Sequence, residues 1–177
     1  KNTPTSIIIT GNAGDGKTRI CRNVYESLTG KKMNMWDSSG IEELEVNGQK
    51  FRIIKDFSEL QDRIINEELV RLQNAITNRD EYYLIAANEG KLTHALVKNP
   101  QLRNLYEIVT KQLSDRTATK PRNLHIYNLL HTSSSIYALK ILQEWNKKEN
   151  WQICSDCKQR KKCIVYHNHN KLKERNV

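Results

Sequence analysis

Gly11-Asn12-Ala13-Gly14-Asp15-Gly16-Lys17-Thr18 reads G-x-x-x-x-G-K-T, and its surroundings decide the fold. Upstream, Ser6-Ile7-Ile8-Ile9-Thr10 is a short β-branched run that predicts a buried strand. Downstream, 19–28 is free of Gly and Pro and apolar at helical spacing. Strand, loop and helix in that order are the context a phosphate-binding P-loop requires. Glycines let the backbone curl so that successive N–H groups point at an anion. A helix beginning near Gly16 adds its positive end to that cradle. In such a loop Lys17 reaches the β- and γ-phosphates, and the Thr18 hydroxyl ligates Mg²⁺. The eight residues and Arg19 behind them form the candidate nucleotide site, with a nucleoside triphosphate as the expected ligand. A Gly-rich loop that contains Lys-Thr by chance would not need these flanks.

The alternation continues outward from there. Thr29-Gly30 is a helix stop, and 31–36 reads as a second strand. Asn47-Gly48 between two alternating runs is the strongest short-range hairpin signal, here expected as an insertion or an addition at the sheet edge. Its second arm, 51–55, ends at Asp56. Ser58 is a candidate N-cap, and Leu60, Ile64, Ile65, Leu69, Leu72 and Ile76 form a 3.6-period stripe to about Asn78. The run 82–87 is apolar on both faces, as a central parallel strand is, and Asn88-Glu89-Gly90 halts it. Helices are expected at 91–98 and 101–113, a surface loop at 114–122 and a strand at 124–129. A last helix at 136–147, capped from 133–135, would turn Leu139, Leu142 and Trp145 inward. The expected fold is α/β: a P-loop NTPase with a mostly parallel sheet flanked by helices, an inserted β-hairpin and a small Cys/His knob. Residues 1–148 would form the core and 149–177 the basic tail.

A triphosphate hydrolase also needs an acidic residue at a strand end to organise Mg²⁺ and the attacking water. Asp56 is the best candidate, although Phe57 stands where a Glu often follows; Glu59 is close enough in sequence to replace that Glu. Asp37 is a rival, and capping of the next helix is the alternative role for Asp56. Asn88 ends an apolar strand, where it can orient water beside the γ-phosphate, and Glu89 can polarise that water or support the metal. Ala86-Ala87-Asn88 resembles the sensor-1 strand end of AAA+-type ATPases; a simple strand-ending turn is the other reading. No arginine finger is assigned among Arg103, Arg116 and Arg122.

Composition bounds what else the chain does. Its 177 residues are 37% hydrophobic and 28% charged, enough for one solid core and a small appendage. No apolar run approaches the ~18–20 residues of a membrane span. Residues 147–177 hold nine Lys and Arg against three Asp and Glu, so the tail carries +6 of the formal +9. Such a tail suits DNA or another polyanion, or simply a solvated surface. Cys154-x2-Cys157-x5-Cys163, with His167 and His169 beyond, has the spacing of a Cys₃His zinc knob in which His167 is the fourth ligand. An iron–sulfur cluster, for which a fourth Cys is wanting nearby, and three reduced structural thiols are the alternatives. Cys21 belongs to the first helix as a buried small residue. Cysteines of this kind imply a reducing compartment, and the cytoplasm is expected. A chain that opens on Lys1 without Met is expected to be a fragment.

These pieces together resemble the DptF family, the ATPase-like component of bacterial DNA phosphorothioation-dependent restriction systems. The resemblance rests on 7–18, on Lys55-Asp56-Phe57-Ser58-Glu59-Leu60, on Ala87-Asn88-Glu89-Gly90, and on 151–157 through Cys163. It implies an AAA+- or STAND-like ATPase that works with partner restriction proteins on DNA lacking a protective backbone sulfur. It further implies that Lys17 and Thr18 hold nucleotide and Mg²⁺, with Asp56 in the Walker B role. A helical lid with a sensor-2 Arg would lie beyond Val177, so hydrolysis by this piece alone stays open.

Three functions compete at this point. The first is ATP binding and hydrolysis in an anti-phage restriction system, coupled to partners, to DNA and to a possible homo-oligomer. The second is a small-molecule phosphotransferase using the same cradle. The third is a nucleotide-gated DNA-binding module whose zinc knob and basic tail carry affinity.

Overall fold

Asn47 and Gly48 both adopt positive φ, 52° and 74°, and the chain reverses between them as a two-residue hairpin requires. In the computed structural model, which describes residues 4–115, 123–131 and 134–174, this turn joins β2 (Ile41–Val46) to β3 (Gln49–Ile54). The register runs from Val46 opposite Gln49 to Ile41 opposite Ile54. The hairpin lies at one edge of the sheet, as expected. Its second arm pairs in parallel with β4 (Glu81–Ala87), so β3 is an interior strand of the sheet. β4 pairs in parallel with β1 (Ser6–Thr10), which pairs in parallel with β5 (Leu124–Asn128). The five-stranded order is β2-β3-β4-β1-β5, parallel except at the hairpin.

Alternation along the strands splits the core into two layers. Ile9, Ile53, Leu84 and Ala86 face α1 (Lys17–Thr29), where Cys21 is fully buried and Ile20, Val24 and Tyr25 pack beside them. Ile8, Ile54, Ile85, Leu124 and Ile126 face the opposite way. They meet α2 (Asp62–Asn78), α3 (Glu89–Lys98) and α4 (Arg103–Ser114) through Ile65, Leu69, Leu72, Leu92, Leu96, Leu105 and Val109. β4 is buried on both faces, as the apolar run 82–87 predicts. The α2 stripe is buried at Ile65, Leu69 and Leu72. Truncating any one of these to Ala would cost about 2–5 kcal/mol.

One polar contact inside this frame was not expected. Arg52 on β3 is buried and forks onto Glu68 of α2 through Nε and Nη2, at 2.6 and 2.8 Å, and also pairs with Glu43 of β2. A buried guanidinium needs both partners, so the trio fixes β3 against α2 and the edge strand.

Several boundaries differ from the sequence reading. Residues 31–36 form no strand; Met33 is buried alone, its N–H held by the Glu26 carboxylate at 3.0 Å, and the segment only links α1 to β2. Ser58 does not cap α2. A 3-10 turn at Phe57–Glu59 intervenes, and Gln61 stands at the helix start without a side-chain cap.

The chain forms two compact units, Lys1–His131 and Thr132–Val177. The last expected core helix, observed as α5 (Ser134–Trp145), therefore belongs to the second unit, and Leu139 is exposed instead of inward. Its partner is aromatic: Trp145 meets Trp151 edge-on at 4.6 Å, and Trp151 stacks on His169 at 3.8 Å. His169 lies on α6 (Ile164–Glu174) and is almost fully buried. Ser133 and the expected loop residues 116–122 lie outside the described residues. Among the described residues no helix is long and apolar enough to cross a membrane.

Candidate functional site

The 11–18 loop connects the C-terminal end of β1 to the N-terminus of α1, between the ends of β4 and β5. In an open parallel sheet this is where crevices for ligands form. Gly11 takes φ 154°, and a Cβ there would sit 2.6 Å from the Asp15 carboxylate and 3.2 Å from Leu129 Cβ. Gly16 is the N-cap of α1 at φ 83°; no side chain caps that helix, and no acidic residue lies in its first turn. Its first amides and its positive end are thus left facing the loop. All loop residues from Asn12 to Gly16 are exposed.

Two side chains tie the loop to itself. Asp15 Oδ2 accepts the Asn12 N–H at 2.6 Å. The Lys17 ammonium donates to the Gly11 carbonyl at 3.0 Å and the Asn12 carbonyl at 2.6 Å, so it lies folded across the loop's first residues. Arg19 is exposed on the first turn of α1.

The candidate metal-side residues converge from α1 and β3. Thr18 Oγ1 donates to the Lys55 carbonyl at 3.3 Å, directly before Asp56. One turn on, the Cys21 Sγ is 4.0 Å from the Ile54 carbonyl. Burial pushes the Cys21 thiol up to about 12, and the Asp56 carboxylate adds to that push. Asp56 therefore stands near the first turns of α1. It also realises the alternative role: its Oδ1 accepts the Ser58 N–H at 2.8 Å and caps the 3-10 turn. The second oxygen is the one left for other work. Glu59 is engaged by Lys55 at 2.8 Å. Asp37 is exposed in the loop before β2, where hydrogen bonds from Ser39 hold its carboxyl below the usual range. Among the described residues, the hydrogen bonds of Asp37 run to Ser39, Gly40 and Glu42 and none to the 11–18 loop.

Between the ends of β3 and β1, Asn88 and Glu89 follow the end of β4. The Asn88 Oδ1 accepts from the Gly90 and Lys91 N–H groups at 3.0 and 3.3 Å and so caps α3. Only its NH₂ is left to meet a ligand. Glu89 is half-buried, and its Oε2 accepts from Asn128 Nδ2 at 2.9 Å. Asn128 was not singled out from the sequence; an Asn ending an edge strand gives no signal until the strand's neighbours are known. Arg103 pairs with Glu107 on an exposed face of α4, and Arg116 and Arg122 lie outside the described residues.

The Cys/His tail is arranged differently from a closed metal knob. Cys157 is exposed, and Cys154 and Cys163 are half-buried free thiols. Among the described residues no group of three or more His, Cys, Asp and Glu is placed to hold a metal ion. α6 starts immediately after Cys163 and carries His167 to an exposed position, where its N–H bonds the Cys163 carbonyl at 3.0 Å. The neighbouring His169 goes instead into the Trp145, Trp151 and Tyr166 cluster, with its Nδ1 buried and unpartnered. Arg160 lies over the Tyr166 ring, 4.6 Å from its centre, and Lys158, Lys161 and Lys162 around it are exposed.

No protein-family model, curated protein or solved structure matches the chain.

Proposed function

We propose that the chain binds Mg²⁺·ATP on the 11–18 loop and hydrolyses it. The observation that carries this reading is one arrangement: a Gly-rich loop leads into an uncapped helix start whose Thr18 hydroxyl lies against the strand end bearing Asp56. The residues present suit the ligand. Loop and helix amides would take the phosphates, and Lys17 would exchange the Gly11 and Asn12 carbonyls for β- and γ-phosphate oxygens. Thr18 would hold Mg²⁺, with Asp56 behind it through the oxygen that does not cap Ser58. Bound Mg²⁺ would neutralise charge on the β- and γ-phosphates. The Asn88 NH₂ would face the γ-phosphate, and Glu89 would accept a proton from the attacking water.

The restriction role rests on the resemblance to the DptF family: nucleotide state would couple to DNA recognition or cleavage by partner proteins. The basic surface at 158–162 fits a polyanionic partner. The test is titration of Mg²⁺·ATP and Mg²⁺·GTP into the chain and its Lys17→Ala form, following heat and phosphate release. Binding that disappears in Lys17→Ala supports the reading; absence of binding to the unaltered chain overturns it.

A further inference from the structure

The strand order places β4 and β5 on opposite sides of β1, with Thr10 in register with both Ala87 and Asn128. Neighbouring strands stand about 4.8 Å apart, so the ends of β4 and β5 are separated by about 10 Å with the end of β1 between them. Glu89 comes two residues after Ala87, and Asn128 is the last residue of β5. Their hydrogen bond, Asn128 Nδ2 to Glu89 Oε2 at 2.9 Å, therefore spans the end of β1 where the 11–18 loop begins. Leu129, next after Asn128, confirms the proximity, since its Cβ lies 3.2 Å from where a Gly11 Cβ would be.

The asparagine is held in a defined orientation. Its Oδ1 accepts the Leu130 N–H at 3.0 Å. With the oxygen so committed, the NH₂ half must point at Glu89. One carboxylate oxygen is thereby fixed, and the other, Oε1, is left to accept a hydrogen bond from water.

We infer that Asn128 is a positioning residue for Glu89, holding that carboxylate across the start of the 11–18 loop so that it can take the proton of the attacking water. The inference rests on the ATPase reading above. In the step it serves, the water oxygen bonds to the γ-phosphorus. The bond from that phosphorus to the bridging oxygen breaks, and its electron pair leaves with the diphosphate. The water proton passes to Glu89 and then to the released phosphate. Asn128 touches neither water nor phosphate; it acts through the carboxylate alone.

The test is a double-mutant cycle in the full chain with Asn128→Ala, Glu89→Gln and both together, measuring Mg²⁺·ATP affinity by calorimetry and turnover by phosphate release. Asn128→Ala should leave the dissociation constant within about twofold and lower kcat about tenfold. Glu89→Gln should lower kcat about a hundredfold, and adding Asn128→Ala to it should cost less than twofold more. Asn128→Asp keeps the shape and the Leu130 bond but sets two carboxylates against each other, and should lower kcat at least as far as Asn128→Ala. It covers the case in which the alanine form does not fold. Unchanged kcat in both Asn128 variants, or equal losses on the unaltered and Glu89→Gln backgrounds, would overturn the inference while Lys17-dependent binding kept the ATPase site intact. Binding without any phosphate release would likewise overturn the inference alone, and absence of binding would overturn both.

Discussion

The Thr18 hydroxyl donates to the Lys55 carbonyl at 3.3 Å, tying the first turn of α1 to the strand end that carries Asp56. Asp56 has two duties to separate, since its Oδ1 also caps the 3-10 turn at Ser58. Asparagine caps as well as aspartate, whereas alanine does not. Asp56→Asn is expected to keep urea stability within about 0.5 kcal/mol and to lose most Mg²⁺-dependent turnover. Asp56→Ala is expected to lose that turnover and about 1 kcal/mol of stability as well. Equal turnover in the unaltered and Asp56→Asn chains would leave Asp56 as a cap only.

Asn88 divides in the same way. Its oxygen caps α3 through Gly90 and Lys91, and only its NH₂ is left for a phosphate. Asn88→Ser retains a capping oxygen but no NH₂, so stability should hold to within about 0.5 kcal/mol while kcat falls about tenfold. Asn88→Ala should in addition lower the unfolding free energy by about 1 kcal/mol. Urea melts and phosphate release on the same preparations distinguish the two roles.

Cys21 should be silent to a chromogenic thiol reagent in the native chain, because burial holds its thiol protonated up to about pH 12. Cys154, Cys157 and Cys163 should react, with exposed Cys157 first. The unfolded thiol ionises near its ordinary 9.0 and the folded one near 12, so stability is intact below about pH 9 and declines as pH rises between those values. The limiting slope is about 1.4 kcal/mol per pH unit. Tyr83, also pushed up by burial and by the Glu81 charge, declines in the same direction. The Cys21 share is read as the difference from Cys21→Ala in urea melts across that range.

Trp151 holds the second unit's aromatic cluster in two ways: it stacks on His169, and its indole N–H donates to the Trp145 carbonyl at 2.7 Å. Trp151→Ala should destabilise that unit by about 3 kcal/mol, and Trp151→Phe, which keeps a ring but loses the donor, by about 1 kcal/mol. Faster hydrogen exchange at α6 amides, graded in that order, is the expected readout. Equal exchange in all three forms would mean that the cluster does not hold the helix.

Much of this could be read directly from local chemistry. The Asn-Gly pair specifies its turn by backbone freedom alone, the α2 stripe by its period, and β4 by an apolar run too short for a helix. The strand, loop and helix around Gly11 are likewise contiguous in sequence. What escaped the reading depends on pairing between distant segments. β3 looks like half of a hairpin until β4, more than 25 residues later, takes its other edge. Asn128 becomes interesting only when β5 is known to pair with β1 on the side opposite β4. Trp145 resembled a core position by its spacing, and only its contacts with Trp151 and His169 assign it to the second unit.

The reversal at Asn47-Gly48 has a consequence for solubility. It makes β2 the outer strand of the sheet, and that strand presents Glu42 and Glu45, with Glu43 between them paired to Arg52. A second copy offering the same edge would bring like carboxylates into opposition, and edge charges of this kind discourage strand addition. Self-association by sheet extension is therefore disfavoured along β2.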